Sequence, residues 1–449
     1  MASSTSLSHP LLALAALILT SAIGACAPVS LLRVPLHSFG DSPLPPFAAN
    51  ADLESPLAFW ETQEAPRLRE LFQREVYGMF PDRSEALIVT REIIDAEALN
   101  GAGMFEVLEV VVSATFQGEG ADTAHFVIDL FLPSAADGPV GVVLMQTFCP
   151  RVETSLHPVV SGGGPGVSCT GGLGNWLMGG LGRSIARAPL EDFLARGYAV
   201  ASVHSRDVVP DDPQRGPDVL DTLAPTYVGD EVRWGALAAW AWLYSRTVDV
   251  LAADERIDQG RIIAFGHSRF GKAALIAAAF DPRISGVISN QSGLGGAALS
   301  RDKTGETIAQ ITETYPHWFA RTFTRYADRE QDLPVDQHQL LALIAPRPIW
   351  LGNARRDSWS DPNGTYRAAA AASSIYQLYG AGGLDQSGMD DFNPDATISY
   401  WLRHGFHGVE PSDWGAILRF VDAHFGAPIS ASSPKLDSLG ESEEQETTH

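Results

Sequence analysis

The sequence RIIAFGHSRFGKAALIAAAF, residues 261–280, constrains the fold more than any other stretch of the chain. It joins an apolar, β-rich run to an alanine-rich helix with only Gly266, His267 and Ser268 between them. A strand that turns directly into a helix exposes the residue at the turn above the edge of a sheet. Ser268 is therefore a candidate nucleophile, although Gly271 comes one residue later than in G-x-S-x-G and serine is also a favoured helix cap.

The regions around this turn alternate between buried strands and helices. GVVLMQTF is a short apolar run typical of a buried strand, and EDFLARGYAVASVHSRD contains a helix, a glycine stop and a second such run. VRWGALAAWAWLYSRTVDVLAA is a long helix that leads into a strand at residues 262–265. This alternation predicts an α/β fold in which a largely parallel sheet is covered by helices on both faces, giving three layers. Upstream, FEVLEVVVSATF and HFVIDLFLP predict two more strands, the first on an antiparallel side of the sheet.

Length and composition indicate one large folded domain with extensions at both ends. The chain has 449 residues, of which 45% are hydrophobic and 19% charged, enough to bury a large core. We predict an export signal at 1–25, a linker at 26–60, a catalytic α/β domain at 61–425 and a disordered acidic tail at 426–449. The formal net charge of −23 argues against nucleic acid as a partner, because such binding needs clustered Lys and Arg.

The N-terminal segment predicts export from the cytoplasm. An apolar run from Leu11 to Ile23 ends in small residues, although Lys and Arg are missing before it. The sequence before Cys26 resembles a lipoprotein box, so the alternatives are a lipid anchor on Cys26 or ordinary cleavage and secretion. Outside the cytoplasm, Cys149 and Cys169 could form a disulfide that contributes about 3 kcal/mol; the alternative is two free buried thiols.

A nucleophilic serine needs a histidine base that is oriented by a carboxylate. In α/β-hydrolases the order along the chain is serine, acid, histidine, each in a loop after a strand. The loop NARRDSWSDPNG, after the strand candidate PRPIWLG, offers Asp357 and Asp361, and the later YWLRHGFHGVEPSDW offers His404 and His407. We favour Asp357, which comes first after the strand, because Asp361 precedes a proline and fits a turn. We favour His407 over His404, whose position next to an arginine fits a structural role.

Two cations lie in the first turn of the helix that follows Ser268. Arg269 and Lys272 cost about 0.3–1 kcal/mol each there unless something anionic or polar faces them, because the N-terminus of a helix carries partial positive charge. An oxyanion held by the backbone N–H of Arg269 would explain why Arg269 stands there, and a hydrogen bond to an oxygen-rich acyl group would explain the position of Lys272. The alternative is ion pairing with a nearby carboxylate.

The serine segment and several others resemble the bacterial glucuronoyl esterases, carbohydrate esterase family 15. GHSRFGK, residues 266–272, is similar to the pattern G-H/C-S-R-x-G-K of this family, which explains the late glycine. Further matching segments are VYGMFP, SGLGGAAL, DKTGETI, HWF, DQHQLLALIAPRP, RDSWSDP and YWLRHGFHGVEPSDW, so that the resemblance covers residues from about 60 to 425.

The resemblance implies an α/β-hydrolase that cleaves esters of (4-O-methyl-)glucuronic acid in glucuronoxylan, including ester links to lignin. It implies Ser268 as nucleophile, His407 as base, Arg269 as oxyanion support, and Lys272, Glu306 and Trp359 as residues that hold the uronic acid ring. We expect a monomer that needs no cofactor. No metal site is indicated, since neither H-E-x-x-H nor paired C-x-x-C is present.

One position departs from the family pattern. Many members have a catalytic glutamate in N-E-S-G, whereas residues 290–293 read NQSG. Gln291 carries no charge and cannot support an imidazolium as a carboxylate would. Other members place the acid in a D-x-W-x-D-P motif, where Asp357 stands, so we predict that Asp357 takes this role. The competing hypotheses are a broad carboxylesterase or acetyl-xylan esterase, and a surface lipoprotein that binds glycans without turnover.

Overall fold

The computed structural model of the chain describes residues 43–49, 53–81, 83–116, 119–120, 123–147, 151–155, 185–223 and 232–426. The predicted signal, Cys26, the Cys149 and Cys169 pair and the tail beyond residue 426 lie outside these ranges. Regular structure begins earlier than the predicted boundary at residue 61, because a helix starts at Pro56. Residues 43–49 also pack on the domain, where the Ala48 N–H donates to Glu64 Oε1 at 2.7 Å. Within the described ranges, none of the helices combines the length and apolarity needed to span a bilayer.

In the described part of the chain the strands form one sheet in the order β1-β2-β4-β6-β5-β7-β8-β9-β10, with β3 paired to β2. Along this order, neighbouring strands from β6 to β10 pair in parallel. The pairs β1–β2, β2–β3, β2–β4 and β4–β6 are antiparallel. The predicted largely parallel sheet with an antiparallel side is confirmed. The strands are β1 Arg83–Ala98, β2 Gly103–Phe116, β3 Glu119–Gly120, β4 Ala124–Pro133, β5 Val140–Gln146, β6 Tyr198–Val203, β7 Ile257–His267, β8 Gly286–Asn290, β9 Ile349–Ala354 and β10 Ile398–Arg403.

Helices alternate with these strands and cover both faces of the sheet. π-helical turns at Trp60–Glu64 and Gln73–Tyr77 flank the helix Ala65–Phe72, and 3-10 turns lie at Ser205–Asp207, Arg321–Tyr326, Glu330–Asp332 and Ser358–Ser360. The α-helices are α1 Pro56–Phe59, α2 Ala65–Phe72, α3 Arg151–Thr154, α4 Leu190–Ala195, α5 Arg215–Leu223, α6 Ala236–Ala252, α7 Arg269–Phe280, α8 Ile308–Thr314, α9 Gln337–Ala342, α10 Pro362–Leu378 and α11 Pro411–Phe425.

The side chains of β5 divide between two hydrophobic cores, one on each face of the sheet. Val142 and Leu144 belong to the larger core with α6 and α7, and Val143 and Met145 belong to the smaller one with α4 and α11. Successive side chains of a strand point to opposite faces, so a strand buried on both faces is apolar at every position. This is why GVVLM, residues 141–145, is a continuous apolar run, and the three predicted layers are confirmed.

The register of the parallel strands brings their carboxyl ends to one edge of the sheet. His267 at the end of β7 aligns with Asn290 at the end of β8, and Ala354 at the end of β9 aligns with Arg403 at the end of β10. Ligands of α/β proteins bind outside this edge, because the loops that follow the strands converge there. Those four loops carry Ser268, Gln291, Asp357 and His407.

Candidate active site

Ser268 lies in a strained turn between β7 and α7. Its backbone has φ 56° and ψ −123°, in the positive-φ region that non-glycine residues rarely adopt. The Ser268 N–H donates to the Asn290 carbonyl at 2.8 Å, and its carbonyl accepts from the Lys272 N–H at 3.1 Å. Its side chain makes no capping hydrogen bond to α7. The turn therefore holds the hydroxyl away from the helix, which argues against a plain cap.

Two glycines allow this turn to pack closely. A Cβ atom on Gly266 would lie 2.0 Å from the Phe270 carbonyl oxygen, and one on Gly271 would lie 3.0 Å from both the Gly266 carbonyl oxygen and Ser289 Oγ. A side chain at Gly266 would clash with the backbone, and one at Gly271 would fit only if its neighbours shifted. Gly271, one residue late in the motif, lets α7 approach the ends of β7 and β8.

Asp357 and His407 are in direct contact. Asp357 Oδ2 lies 2.7 Å from His407 Nδ1, and the two side chains are 3% and 27% exposed. Since an ionised carboxylate only accepts hydrogen bonds, Nδ1 carries the proton and a neutral ring has its lone pair on Nε2. Burial raises the pKa of Asp357, but the charge and hydrogen bond of His407 and the bonds from Ser360 outweigh it, so that the pKa lies below its ordinary value.

The other two candidates for this pair lie elsewhere. Asp361 has φ 48° and caps α10, where its Oδ1 accepts from the Gly364 N–H at 3.0 Å and from Thr304 Oγ1 at 3.2 Å. His404 is exposed on the surface. The structure thus brings Asp357 and His407 together and leaves Asp361 as a helix cap.

Gln291 contacts the histidine loop rather than the imidazole ring. It is 1% exposed, and its Oε1 accepts from the Gly408 N–H at 2.8 Å. Its carbonyl accepts from Ser360 Oγ at 3.3 Å, and the same hydroxyl lies 3.3 Å from His407 Nδ1. Gln291 is therefore a residue that binds the backbone next to His407.

His267 packs against the candidate base. The two ring centroids are 4.8 Å apart. Burial and the positive charges of His407 and Arg403 hold the pKa of His267 well below its ordinary value. His267 is therefore neutral at physiological pH and places no second charge beside His407.

Arg269 is paired with a carboxylate that the sequence motifs did not reveal. Its guanidinium forms an ion pair with Asp211 and lies over the rings of Trp318 and Tyr315, with its Cζ 4.9 and 5.6 Å from their centroids. Asp211 is fixed in turn, because its Oδ1 accepts from Trp318 Nε1 at 2.8 Å. The guanidinium is thereby held as a fixed cation beside the serine. The only signal for this pair in the sequence is that Asp211 follows the strand β6.

Lys272 lies buried behind the serine turn, close to Glu306. Its Nζ donates to the Ser292 carbonyl and, at 2.7 Å, to the Leu294 carbonyl. Burial lowers the pKa of Lys272 to about 8, although the charge of Glu306 opposes this shift. Burial also raises the pKa of Glu306, against the charges of Lys272 and Lys303. Glu306 Oε1 is buried and has no hydrogen-bond partner among the described residues, so it is available to accept from a ligand hydroxyl.

Trp359 lies next to Glu306 through the backbone. The Glu306 N–H donates to the Trp359 carbonyl at 3.2 Å, and a Cβ atom on Gly305 would lie 2.3 Å from that oxygen. The glycine of DKTGETI therefore permits the contact between these two segments. Lys303, in the same segment, is a further buried cation whose pKa is lowered by burial despite the charges of Asp361 and Glu306. The sequence motifs did not reveal a role for Lys303.

No group of three or more His, Cys, Asp or Glu side chains in the described part of the chain is arranged to hold a metal ion. The fold, the strained serine between strand and helix, and the Asp357–His407 pair at the same sheet edge together define an α/β-hydrolase.

Comparisons with known proteins specify the family. A family model described as glucuronyl esterase of fungi matches residues 210–380. Carbohydrate esterase MZ0003, from an unknown prokaryotic organism, is 34% identical over 373 residues and covers 81% of this chain and 85% of that protein. A 4-O-methyl-glucuronoyl methylesterase of Hypocrea jecorina (strain QM6a) is 36% identical over 176 residues, 37% of either chain.

Solved structures agree with the sequence comparisons. The glucuronoyl esterase from Solibacter usitatus is 30% identical with a TM-score of 0.70, covering 88% of this chain and all of that one (100%). A CE15 esterase from the marine bacterial metagenome, described as promiscuous, also has 30% identity and a TM-score of 0.70, covering 88% of this chain and 98% of that one. The chain belongs to carbohydrate esterase family 15, and the predicted α/β-hydrolase fold is confirmed.

Proposed function

We propose that the protein is a serine esterase that hydrolyses esters of (4-O-methyl-)glucuronic acid in glucuronoxylan, including ester links to lignin alcohols. Its family and the names of its relatives support this substrate class. The observation that carries the proposal is the position of Ser268 at the sheet edge where His407 and Asp357 meet at 2.7 Å, with the buried Lys272 and Glu306 beside it.

In the proposed acylation step, Ser268 Oγ attacks the ester carbonyl carbon while His407 Nε2 takes the hydroxyl proton. Asp357 stays ionised and stabilises the imidazolium. The negative charge that forms on the carbonyl oxygen is stabilised by Arg269, whose backbone N–H lies in the first turn of α7 next to the nucleophile. His407 then gives its proton to the departing alcohol oxygen.

Deacylation repeats these roles with water. His407 takes a proton from the water that attacks the acyl-enzyme, and it returns a proton to Ser268 Oγ as the uronic acid departs. Lys272 uses two of its three N–H donors on backbone carbonyls, which leaves one for a sugar oxygen. Glu306 Oε1 would accept from a ring hydroxyl, and the partly exposed Trp359 would contact the ring face.

Comparing kcat/KM for a benzyl ester of glucuronic acid and for an acetylated xylose tests the substrate class. We expect the glucuronate ester to be preferred by about 100-fold or more, because a site with buried groups that bind hydroxyls discriminates strongly against ligands without them. A clear preference for the acetate would refute the proposal.

Ser268→Ala tests the nucleophile. The variant should lower kcat by about 10⁶-fold while glucuronate still binds, and unchanged activity would refute the assignment of Ser268 as nucleophile.

A broader carboxylesterase activity is the second candidate. It is favoured by the relative described as a promiscuous CE15 esterase, which is 30% identical to this chain. Lys272 and Glu306 argue for the narrower substrate, since an acetyl group makes no use of buried polar side chains. Lys272→Met would lower activity on glucuronate esters and leave acetate hydrolysis unchanged if the enzyme is specific for the uronate.

Export, and lipidation of Cys26, remain proposals of their own, supported by the N-terminal sequence. Labelling of cells with a fatty-acid probe should mark the wild-type protein and not Cys26→Ala, whereas an unlabelled protein in the medium would indicate simple secretion. Thiol titration of the denatured protein would detect a bond between Cys149 and Cys169. Sedimentation of the purified enzyme tests the proposed monomer.

A further inference from the structure

Arg403, the last residue of β10, binds the backbone on both sides of the candidate base His407. Its Nη2 donates to the carbonyl of Phe406 at 3.0 Å and to that of Gly408 at 2.9 Å. The arginine is 4% exposed. One nitrogen atom therefore fixes the peptide unit before the histidine and the peptide unit that follows Gly408.

The other donors of Arg403 anchor the guanidinium itself. Nε donates to Asp413 Oδ2 at 2.8 Å, and Nη1 donates to the His404 carbonyl at 2.9 Å and to Glu410 Oε1 at 3.1 Å. Asp413 is 0% exposed and lies in the first turn of α11. All five N–H groups of the planar fork are thus used, and they connect β10, the histidine loop and α11.

Two neighbouring features match this arrangement. Gly408 is also held at its N–H, which donates to Gln291 Oε1 at 2.8 Å, so both polar groups of the residue after His407 are bound. Gly405 has φ 101°, and a Cβ atom there would lie 2.7 Å from Arg403 Nη1. The loop follows the shape of the guanidinium, and only glycine leaves it that space.

We propose that Arg403 is a positioning residue for His407, an inference that rests on the proposed function. The histidine stands in a loop after β10, so no strand ladder fixes its backbone. A displacement of about 1 Å in a catalytic group costs up to about 100-fold in rate. The hydrogen bonds from Arg403 to Phe406 and Gly408 prevent such a displacement, and they leave the Asp357–His407 contact free to set the ring orientation.

Arg347 provides a matched control. It also binds several backbone carbonyls through its guanidinium, those of Ile344, Asp281, Ile284 and Ala278 at 2.6–3.1 Å. It precedes β9 and lies at the opposite end of that strand from Ala354, about 17–20 Å away for six residues. A variant of Arg347 therefore shows how much stability the protein loses when an arginine that binds several carbonyls is replaced at a site far from His407.

The test compares Arg403→Lys with Arg347→Lys. A lysine ammonium is a point charge that keeps the pair with Asp413 but cannot reach both carbonyls around His407. We expect Arg403→Lys to lower kcat on benzyl glucuronate by about 10- to 100-fold with KM within about twofold, and Arg347→Lys to lower the Tm with kcat within about twofold of wild type. Unchanged kcat in Arg403→Lys, or an equal loss of kcat in Arg347→Lys, would overturn the proposal.

A second variant and a second readout keep the test decisive. If Arg403→Lys does not fold, Gly405→Ala displaces the guanidinium by adding one methyl group, and the same loss in kcat is expected; wild-type kcat in this folded variant overturns the proposal. The rate at which a fluorophosphonate labels Ser268 depends on the base but not on the sugar. If the wild type labels rapidly yet cleaves no glucuronate ester, the proposed substrate fails while the labelling rates of the variants still test Arg403.

Discussion

Replacing Asp357 by asparagine is the most direct test of the candidate acid. The Asp357 carboxylate lies 2.7 Å from His407 Nδ1 and is 3% exposed, so an amide of the same shape preserves the packing and removes the charge. The asparagine also presents either a neutral oxygen or an NH₂ group to Nδ1. In the second case the ring takes the tautomer with its proton on Nε2, where the proton of Ser268 must be received.

The expected loss follows from the charge interaction. Opposite charges about 4 Å apart attract by about 4 kcal/mol at an effective dielectric constant of about 20. Since each 1.36 kcal/mol of barrier is a factor of ten in rate, this interaction corresponds to about 10³-fold. The wrong tautomer increases the loss toward the roughly 10⁴-fold known for this substitution in a serine protease triad. We expect kcat to fall by about 10³- to 10⁴-fold and KM to change little, because Asp357 is buried against His407.

Steady-state hydrolysis of benzyl glucuronate at pH 7 measures this effect, with Asp361→Asn as the control. Asp361 caps α10, and asparagine caps a helix about as well, so Asp361→Asn should fold normally and keep kcat within a few-fold of wild type. If Asp357→Asn keeps more than a tenth of the wild-type kcat, the reasoning is wrong. If Asp361→Asn loses about 10³-fold instead, the acid has been assigned to the wrong aspartate.

Three further predictions concern the sugar site and the serine turn. Because burial lowers the pKa of Lys272 to about 8, its ammonium is lost as the pH rises through that value, so KM for the glucuronate ester should rise above pH 8 and this rise should be absent in Lys272→Met. Glu306→Gln should raise KM more than it lowers kcat, since it weakens the acceptor for a ring hydroxyl; an unchanged KM would contradict this role. Gly266→Ala should lower the Tm or prevent folding, because its Cβ would lie 2.0 Å from the Phe270 carbonyl oxygen, and a wild-type Tm would contradict the close approach.

The sequence predicted strands that correspond to β2, β4, β5, β6, β7 and β9, but none at β1, β3, β8 or β10. β5 is buried at every position, so its apolar run was readable without any knowledge of its neighbours. β1 was missed because it is an edge strand with exposed apolar residues, among them Leu87 at 59%. Shifts of register between Ile88 and Thr90 and between Ile93 and Asp95 also interrupt the alternation by which a half-buried strand is recognised.

The candidate site shows the same division. The segment GHSRFGK, the order serine, acid, histidine, and the family were all readable in the sequence, because a strand, a turn and a helix that follow one another are local features. The sequence favoured Asp357 over Asp361 from its position in the loop that they share, and Asp357 stays the proposed acid. In the structure the 3-10 turn Ser358–Ser360 lies between them, with the Asp357 carboxylate facing His407 and the Asp361 carboxylate capping α10.

Long-range partners were the contribution of the tertiary structure. Asp211, in the loop after β6, forms an ion pair with Arg269. Arg403, at the end of β10, binds both Asp413 of α11 and the backbone of the loop that carries His407. Such contacts depend on how parallel strands align at one edge of a sheet, and no local pattern of residue types encodes that alignment. Local sequence patterns were therefore enough to predict the architecture, the family and the serine turn. Which charges face one another around that serine follows from the folded chain, because these charge pairs form between loops that are distant in the sequence.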